Sequence, residues 1–152
     1  MVSKTKEVLD LNYLEEICKE LKLRYAVLTD EEGTNGIVLE FSNKKGDELK
    51  IFLNMDVENA RFYMMIEDIL SLDKIKVSKE NLFEDLMFMN AERVLYGNLG
   101  YLKEENEIIY TNTVSLEKRT DFRKEELFDY IAYAIFIRKI VQDKYYEKAD
   151  LG

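Results

Sequence analysis

The stretch IVLEFSNKKGDELKIFLNMDVENARFYMMIE, residues 37–67, carries the reading that decides the fold. Ile37, Leu39 and Phe41 alternate with Val38, Glu40 and Ser42, and Leu49, Ile51 and Leu53 alternate with Lys50, Phe52 and Asn54. Between them, Asn43–Asp47 is a polar loop in which Gly46 can take a positive φ. Two runs of period two joined by a short glycine-containing loop predict an antiparallel hairpin. After a turn around Asp56–Asn59, Ala60–Glu67 is a third strand, with Phe62, Met64 and Ile66 on one face and Tyr63 and Met65 on the other. A strand that is apolar on both faces is expected to lie centrally or to be covered on both sides.

Helical spacing flanks this β region. Upstream, Asp10 is placed as an N-cap before Leu11, Leu14, Ile17, Cys18 and Leu21, which share one face of a short amphipathic helix. Residues 1–9 read as a loosely ordered arm, Arg24–Leu28 as a brief strand, and Asp30–Gly33 as a turn. Downstream, Ser78 is the N-cap of a second helix whose stripe is Leu82, Phe83, Leu86, Met89, Arg93 and Val94, with Gly97 at its end. Leu99–Leu102, the turn Lys103–Asn106 and Glu107–Val114 form a second hairpin. Thr120 or Asp121 caps a last helix that runs to about Glu147, with Leu127, Phe128, Ile131, Ala134, Ile135, Arg138 and Val141 on one side. The order α-βββ-α-ββ-α, without composition shift or repeat, predicts one α+β domain over residues 1–152, an antiparallel sheet packed against helices.

Composition narrows the function classes. The 152 residues include no histidine, proline or tryptophan and a single cysteine, Cys18. Histidine is the usual general base near neutral pH and the commonest metal ligand, so most familiar catalytic and metal-binding constellations have no basis here, and no cofactor is expected. Cys18 sits on an apolar stripe, with no histidine to activate it as a nucleophile. Adjacent acids such as Glu15-Glu16 and Glu125-Glu126 point about 100° apart on a helix and do not converge as a catalytic pair. Asp30–Gly33 lacks the alternating oxygen ligands of a calcium loop. Lysines and acids are interspersed and the net charge is −9, so no basic stripe for nucleic acid is present. No apolar run is long enough to span a bilayer, no signal-peptide core stands at the start, and a lone cysteine calls for no oxidising compartment. A cytoplasmic location is expected.

What stands out is soft and aromatic. Phe62-Tyr63-Met64-Met65 and Met87-Phe88-Met89 place four methionines and three aromatics in two short stretches. Most belong in a core, yet Met87 and Phe88 fall off the main stripe of their helix. Methionine-rich surfaces adapt to varied partners. Phe62, Met64, Met65, Met87 and Phe88 are therefore the candidate protein-binding residues. In the last helix, residues 131–137 are apolar all round, so that helix must be covered on more than one side, by its own sheet and by a second subunit.

The segment Leu82–Ile135, LFEDLMFMNAERVLYGNLGYLKEENEIIYTNTVSLEKRTDFRKEELFDYIAYAI, resembles the YbjN-type bacterial sensory-transduction regulators, which share the fold of type III secretion chaperones. The likeness rests on three features: a helix ending in an Asn-x6-Gly stretch (Asn90 and Gly97), a two-strand unit around Tyr101 and Glu107–Tyr110, and the step into an apolar terminal helix at Leu127. It implies a small acidic protein that binds other proteins and forms a homodimer. Chaperones of this fold hold unfolded segments along hydrophobic grooves. The expected function is thus a non-enzymatic, protein-binding chaperone or regulator. The alternatives are a small-ligand regulator and an enzyme built on carboxylates and tyrosines.

Overall fold

A computed structural model describes residues 8–29, 31, 35–42 and 44–146. Most of the predicted arm and most of the turn at 30–33 lie outside the described residues. The elements are α1 (Leu11–Glu20), β1 (Tyr25–Thr29), β2 (Asn35–Ser42), β3 (Glu48–Asp56), β4 (Arg61–Ser71), α2 (Lys79–Glu92), β5 (Asn98–Leu102), β6 (Glu107–Ser115) and α3 (Lys124–Tyr145), with a short 3-10 turn at Leu72–Lys74. The strands form one six-stranded antiparallel sheet in the order β1-β2-β3-β4-β6-β5. The expected α+β architecture is therefore present, and Arg24–Leu28 supplies an edge strand, β1.

The described residues up to Met64 form one compact unit with Thr113–Asp129. In it the β2–β3 hairpin has Ile37 opposite Leu53, Leu39 opposite Ile51 and Phe41 opposite Leu49, the register that puts alternate apolar residues on one face. Ile37, Leu39, Ile51 and Leu53 are buried with Leu14, Ile17 and Cys18 of α1. Asp10 caps α1 as expected, its carboxylate accepting from the Tyr13 N–H at 2.9 Å. Phe62 packs on Phe122 with ring centroids 4.8 Å apart, and the Phe122 N–H donates to the Tyr13 hydroxyl at 3.1 Å. That anchoring keeps residues 119–123 out of the last helix, which starts at Lys124 and not at a Thr120 or Asp121 cap.

Met65–Asn112 form the second unit together with the described residues from Tyr130 onward. Its core includes Ile66, Ile69, Leu70, Leu82, Leu86, Met89, Ile108, Tyr110, Ile131, Ala134, Ile137 and Val141. β4 runs four residues past the predicted end because Asp68 takes a left-handed conformation (φ 52°), after which Ile69 and Leu70 are both buried. The extra residue shifts the alternation, as a bulge does, and the exposed Glu67-Asp68 pair disguises the continuation. Ser78 caps α2, its hydroxyl accepting from the Asn81 N–H at 3.2 Å. α2 ends at Glu92, short of Gly97, where the N–H groups of Arg93 and Val94 both turn onto the Met89 carbonyl.

At the far end of α3, the Gln142 amide donates to the Ile69 carbonyl at 3.0 Å and the Tyr146 hydroxyl accepts from the Ser71 N–H at 3.0 Å. Lys144 and Tyr145 both donate to Asp85 of α2, Lys144 at 2.6 Å. Burial would raise the Asp85 carboxyl, but these two donors outweigh it and hold the group below the usual carboxylate range. A carboxyl lowered by folding stabilises the protein above its unfolded value and loses that contribution as the pH falls through its folded value. Asp85→Asn is therefore expected to be less stable than the wild type at pH 7, with the gap closing as the pH drops below about 4. Urea titrations of both proteins across that range measure it.

Candidate protein-binding surfaces

The proposed contact residues separate by burial. Phe62 and Met64 are 0% exposed, so they are core and not surface, which corrects their assignment as contacts. They share the inward face of β4 with Ile66, also fully buried. Met65, on the opposite face, is half-buried. Met87 and Phe88 of α2 are 72% and 53% exposed. Only this last pair is brought together as an open apolar surface, beside a shallow concavity lined by Asn81, Glu84, Asp85 and Phe88.

The same unit holds an aromatic cluster that the sequence reading missed. Leu95 is 78% exposed in the connection after α2, and Tyr96 and Phe136 are exposed near it in sequence or contact. The Tyr96 ring meets Tyr133 at 5.4 Å and Tyr130 at 5.8 Å, both in the edge-on geometry favoured by aromatic quadrupoles, and Tyr133 meets Phe136 at 6.3 Å in a tilted arrangement. Backbone clamps fix the connection. The Tyr133 hydroxyl accepts from the Leu95 N–H at 2.7 Å and donates to the Arg93 carbonyl at 3.4 Å, while the Tyr110 hydroxyl donates to the Tyr96 carbonyl at 2.5 Å. Burial raises the Tyr110 hydroxyl well above its ordinary value, so it stays a donor. The available signal was a run of apolar residues, Val94-Leu95-Tyr96, placed after a helix end.

Asn90 and Gly97 now have physical roles. Asn90 grips the first turn of β5 from both sides: its amide donates to the Leu99 carbonyl at 3.0 Å and its carbonyl accepts from the Leu99 N–H at 2.8 Å. Gly97 has φ +77°, and a Cβ there would lie 2.3 Å from the Thr111 carbonyl oxygen and 2.7 Å from the Tyr110 hydroxyl. No side chain fits. Gly97→Ala is expected to cost roughly 2–3 kcal/mol through left-handed strain and displacement of β6, measurable by chemical denaturation.

In the other unit, the edge strand β1 pairs only with β2 and leaves Val27 and Leu28 exposed. It carries no proline and no charge, the usual guards of a sheet edge. Cys18 is buried and its thiol is pushed up to about 11, by burial and then by Glu15. A concavity of about 560 Å³ is lined by Asp10, Leu11, Asn12, Asn54, Met55, Asp56, Val57 and Glu58. There the Asn59 hydrogen bonds hold the Asp56 carboxyl below its ordinary value, the state of a paired turn residue. Among the described residues, no helix is long and apolar enough to cross a membrane.

No family model and no curated protein matches the sequence. Solved structures do. One match, from the HopA1-SchA chaperone-effector complex, has a TM-score of 0.58 at 12% identity and covers 87% of this chain and 91% of that one. Another, from the ExsC-ExsE complex, has a TM-score of 0.60 at 14% identity and covers 86% and 89%. The fold is type III secretion chaperone-like. On that fold, the exposed side chains lie on the outer side of α2, in the α2–β5 connection, on α3 and at the β1 edge.

Proposed function

We propose that this protein is a non-enzymatic protein-binding module of secretion-chaperone-like fold, acting in the cytoplasm as a chaperone or regulator and as a homodimer, in the manner of the YbjN-type proteins. One observation carries the reading: Met87, Phe88 and Leu95, three large apolar side chains of one compact unit, are all more than half exposed. An exposed apolar patch marks an interaction site, and a methionine and an aromatic suit a partner with varied side chains. Burial of Met87 and Phe88 against an apolar segment supplies affinity, with Met65 of the same unit as a further candidate contact. The neighbour solved as a chaperone-effector complex supports a protein partner.

The test is capture from native lysate with quantitative mass spectrometry, comparing the wild type with a Met87→Glu/Phe88→Glu double variant. Partners retained by the wild type and lost by the double variant are expected. Equal retention by both would overturn this surface.

A further inference from the structure

Four acids and no base lie between Glu80 and Glu92 of α2, and they decide what the apolar pair on that helix can hold. Glu84 and Ala91 run down the middle of the face opposite the buried Leu82, Leu86 and Met89, with Met87 on one side of that line and Phe88 on the other. Glu84 stands one helical turn before both, three residues from Met87 and four from Phe88, the spacing at which side chains on a helix are neighbours. Glu80 lies one turn further back, and Glu92 one turn beyond Phe88. All three glutamates are exposed, and among the described residues none of them is held in an ion pair or a side-chain hydrogen bond. The neighbouring cations are engaged elsewhere. Lys79 lies over the rings of Phe83 and Tyr101, while Lys144 bonds Asp85 and Arg93 acts on that same carboxylate. The face is therefore an apolar pair set among three carboxylates that have no bonded countercharge.

Apolar burial and charge then select together. A leucine or phenylalanine of a partner seated on Met87 and Phe88 brings the side chains beside it within reach of Glu84. An acid there meets like charge at close range, and a neutral apolar neighbour leaves the glutamate partly desolvated and unpaired. A lysine or arginine avoids both costs. Its methylene stem covers apolar surface while its charged head stays at the carboxylate. The Phe88 ring, which lines the concavity with Asn81, Glu84 and Asp85, offers the cation a π face as well.

We infer that the segment held at Met87 and Phe88 is basic and amphipathic, with Lys or Arg beside its large apolar residues, and that Glu80, Glu84 and Glu92 set this preference. The inference rests on the binding surface proposed above and names the chemistry of its partner.

Selection of random displayed peptides on the full chain tests it without knowledge of the natural partner. The wild type is expected to enrich peptides in which Lys or Arg neighbours Leu, Ile, Phe or Met. The triple variant Glu80→Gln/Glu84→Gln/Glu92→Gln is expected to keep the apolar enrichment and lose the basic one, with an unchanged thermal midpoint because all three side chains are exposed. A peptide selected on the wild type is expected to bind the triple variant roughly tenfold more weakly at low salt, the gap closing as salt screens the exposed charges. Met87→Ala/Phe88→Ala, which removes the apolar pair without adding charge, is expected to enrich neither class. Apolar enrichment that needs Met87 and Phe88 but carries no basic bias, or a basic bias that survives in the triple variant, would overturn this inference alone. Peptides enriched equally by the wild type and the alanine variant, or no enrichment by the wild type, would overturn the binding surface as well.

Discussion

A Phe62→Ala variant is expected to lose about 3–5 kcal/mol of folding stability, whereas Phe88→Ala stays within about 0.5 kcal/mol of the wild type. Both residues belong to the soft aromatic clusters of the sequence, so composition alone ranks them together. Their surroundings do not. Phe62 is fully buried and its ring lies on Phe122, which is held in turn by the Tyr13 hydroxyl. Removing the ring deletes its transfer free energy and leaves a cavity that Phe122 fills only by giving up its own backbone anchor. Phe88 is more than half exposed, so truncation removes little buried area. Chemical denaturation of the two variants under identical conditions measures the contrast. Equal losses would place Phe88 in the core and remove it from the binding surface.

The Met87→Glu/Phe88→Glu variant is expected to keep its thermal midpoint and to bind its partner at least about a hundredfold more weakly. Fully burying a methionine or phenylalanine side chain is worth about 1.5–3 kcal/mol. Two such contributions, reduced for the area already covered, amount to about 3 kcal/mol, or roughly two decades in affinity. Glutamates in their place add the cost of desolvating unpaired charge. Because both positions face away from the buried stripe of Leu82, Leu86 and Met89, the folded state has no reason to change. Circular dichroism melts together with titration of a captured partner read both halves of the expectation.

Elements with a clean period were legible from sequence. The alternation of Ile37–Phe41 and Leu49–Leu53 set the hairpin and its register, and Asp10 and Ser78 marked two helix starts through their capping oxygens. Long-range hydrogen bonds decided what was misread. Tyr13, more than a hundred residues earlier in the chain, holds Phe122 and delays the start of α3. The Tyr133 hydroxyl sits in the connection where α2 had been extended toward Gly97.

The candidate contact surface was half legible for a similar reason. Helical periodicity sets Met87 and Phe88 off the stripe of Leu82, Leu86 and Met89 from sequence alone. β4 gives no such signal: apolar residues occupy both of its faces, and only the packing shows that Phe62 and Met64 point inward while Met65 does not. The apolar-all-round stretch of α3 was expected to be covered on more than one side. In the described chain Ala132 and Phe136 lack that cover.

The most direct test of the binding role is hydrogen exchange on a complex purified with its native partner, compared with the free protein. Strong added protection across residues 84–96, the outer turns of α2 and the connection that carries Leu95 and Tyr96, is the expected result. Protection confined to the concavity around Asp56, with residues 84–96 exchanging as in the free chain, would contradict it.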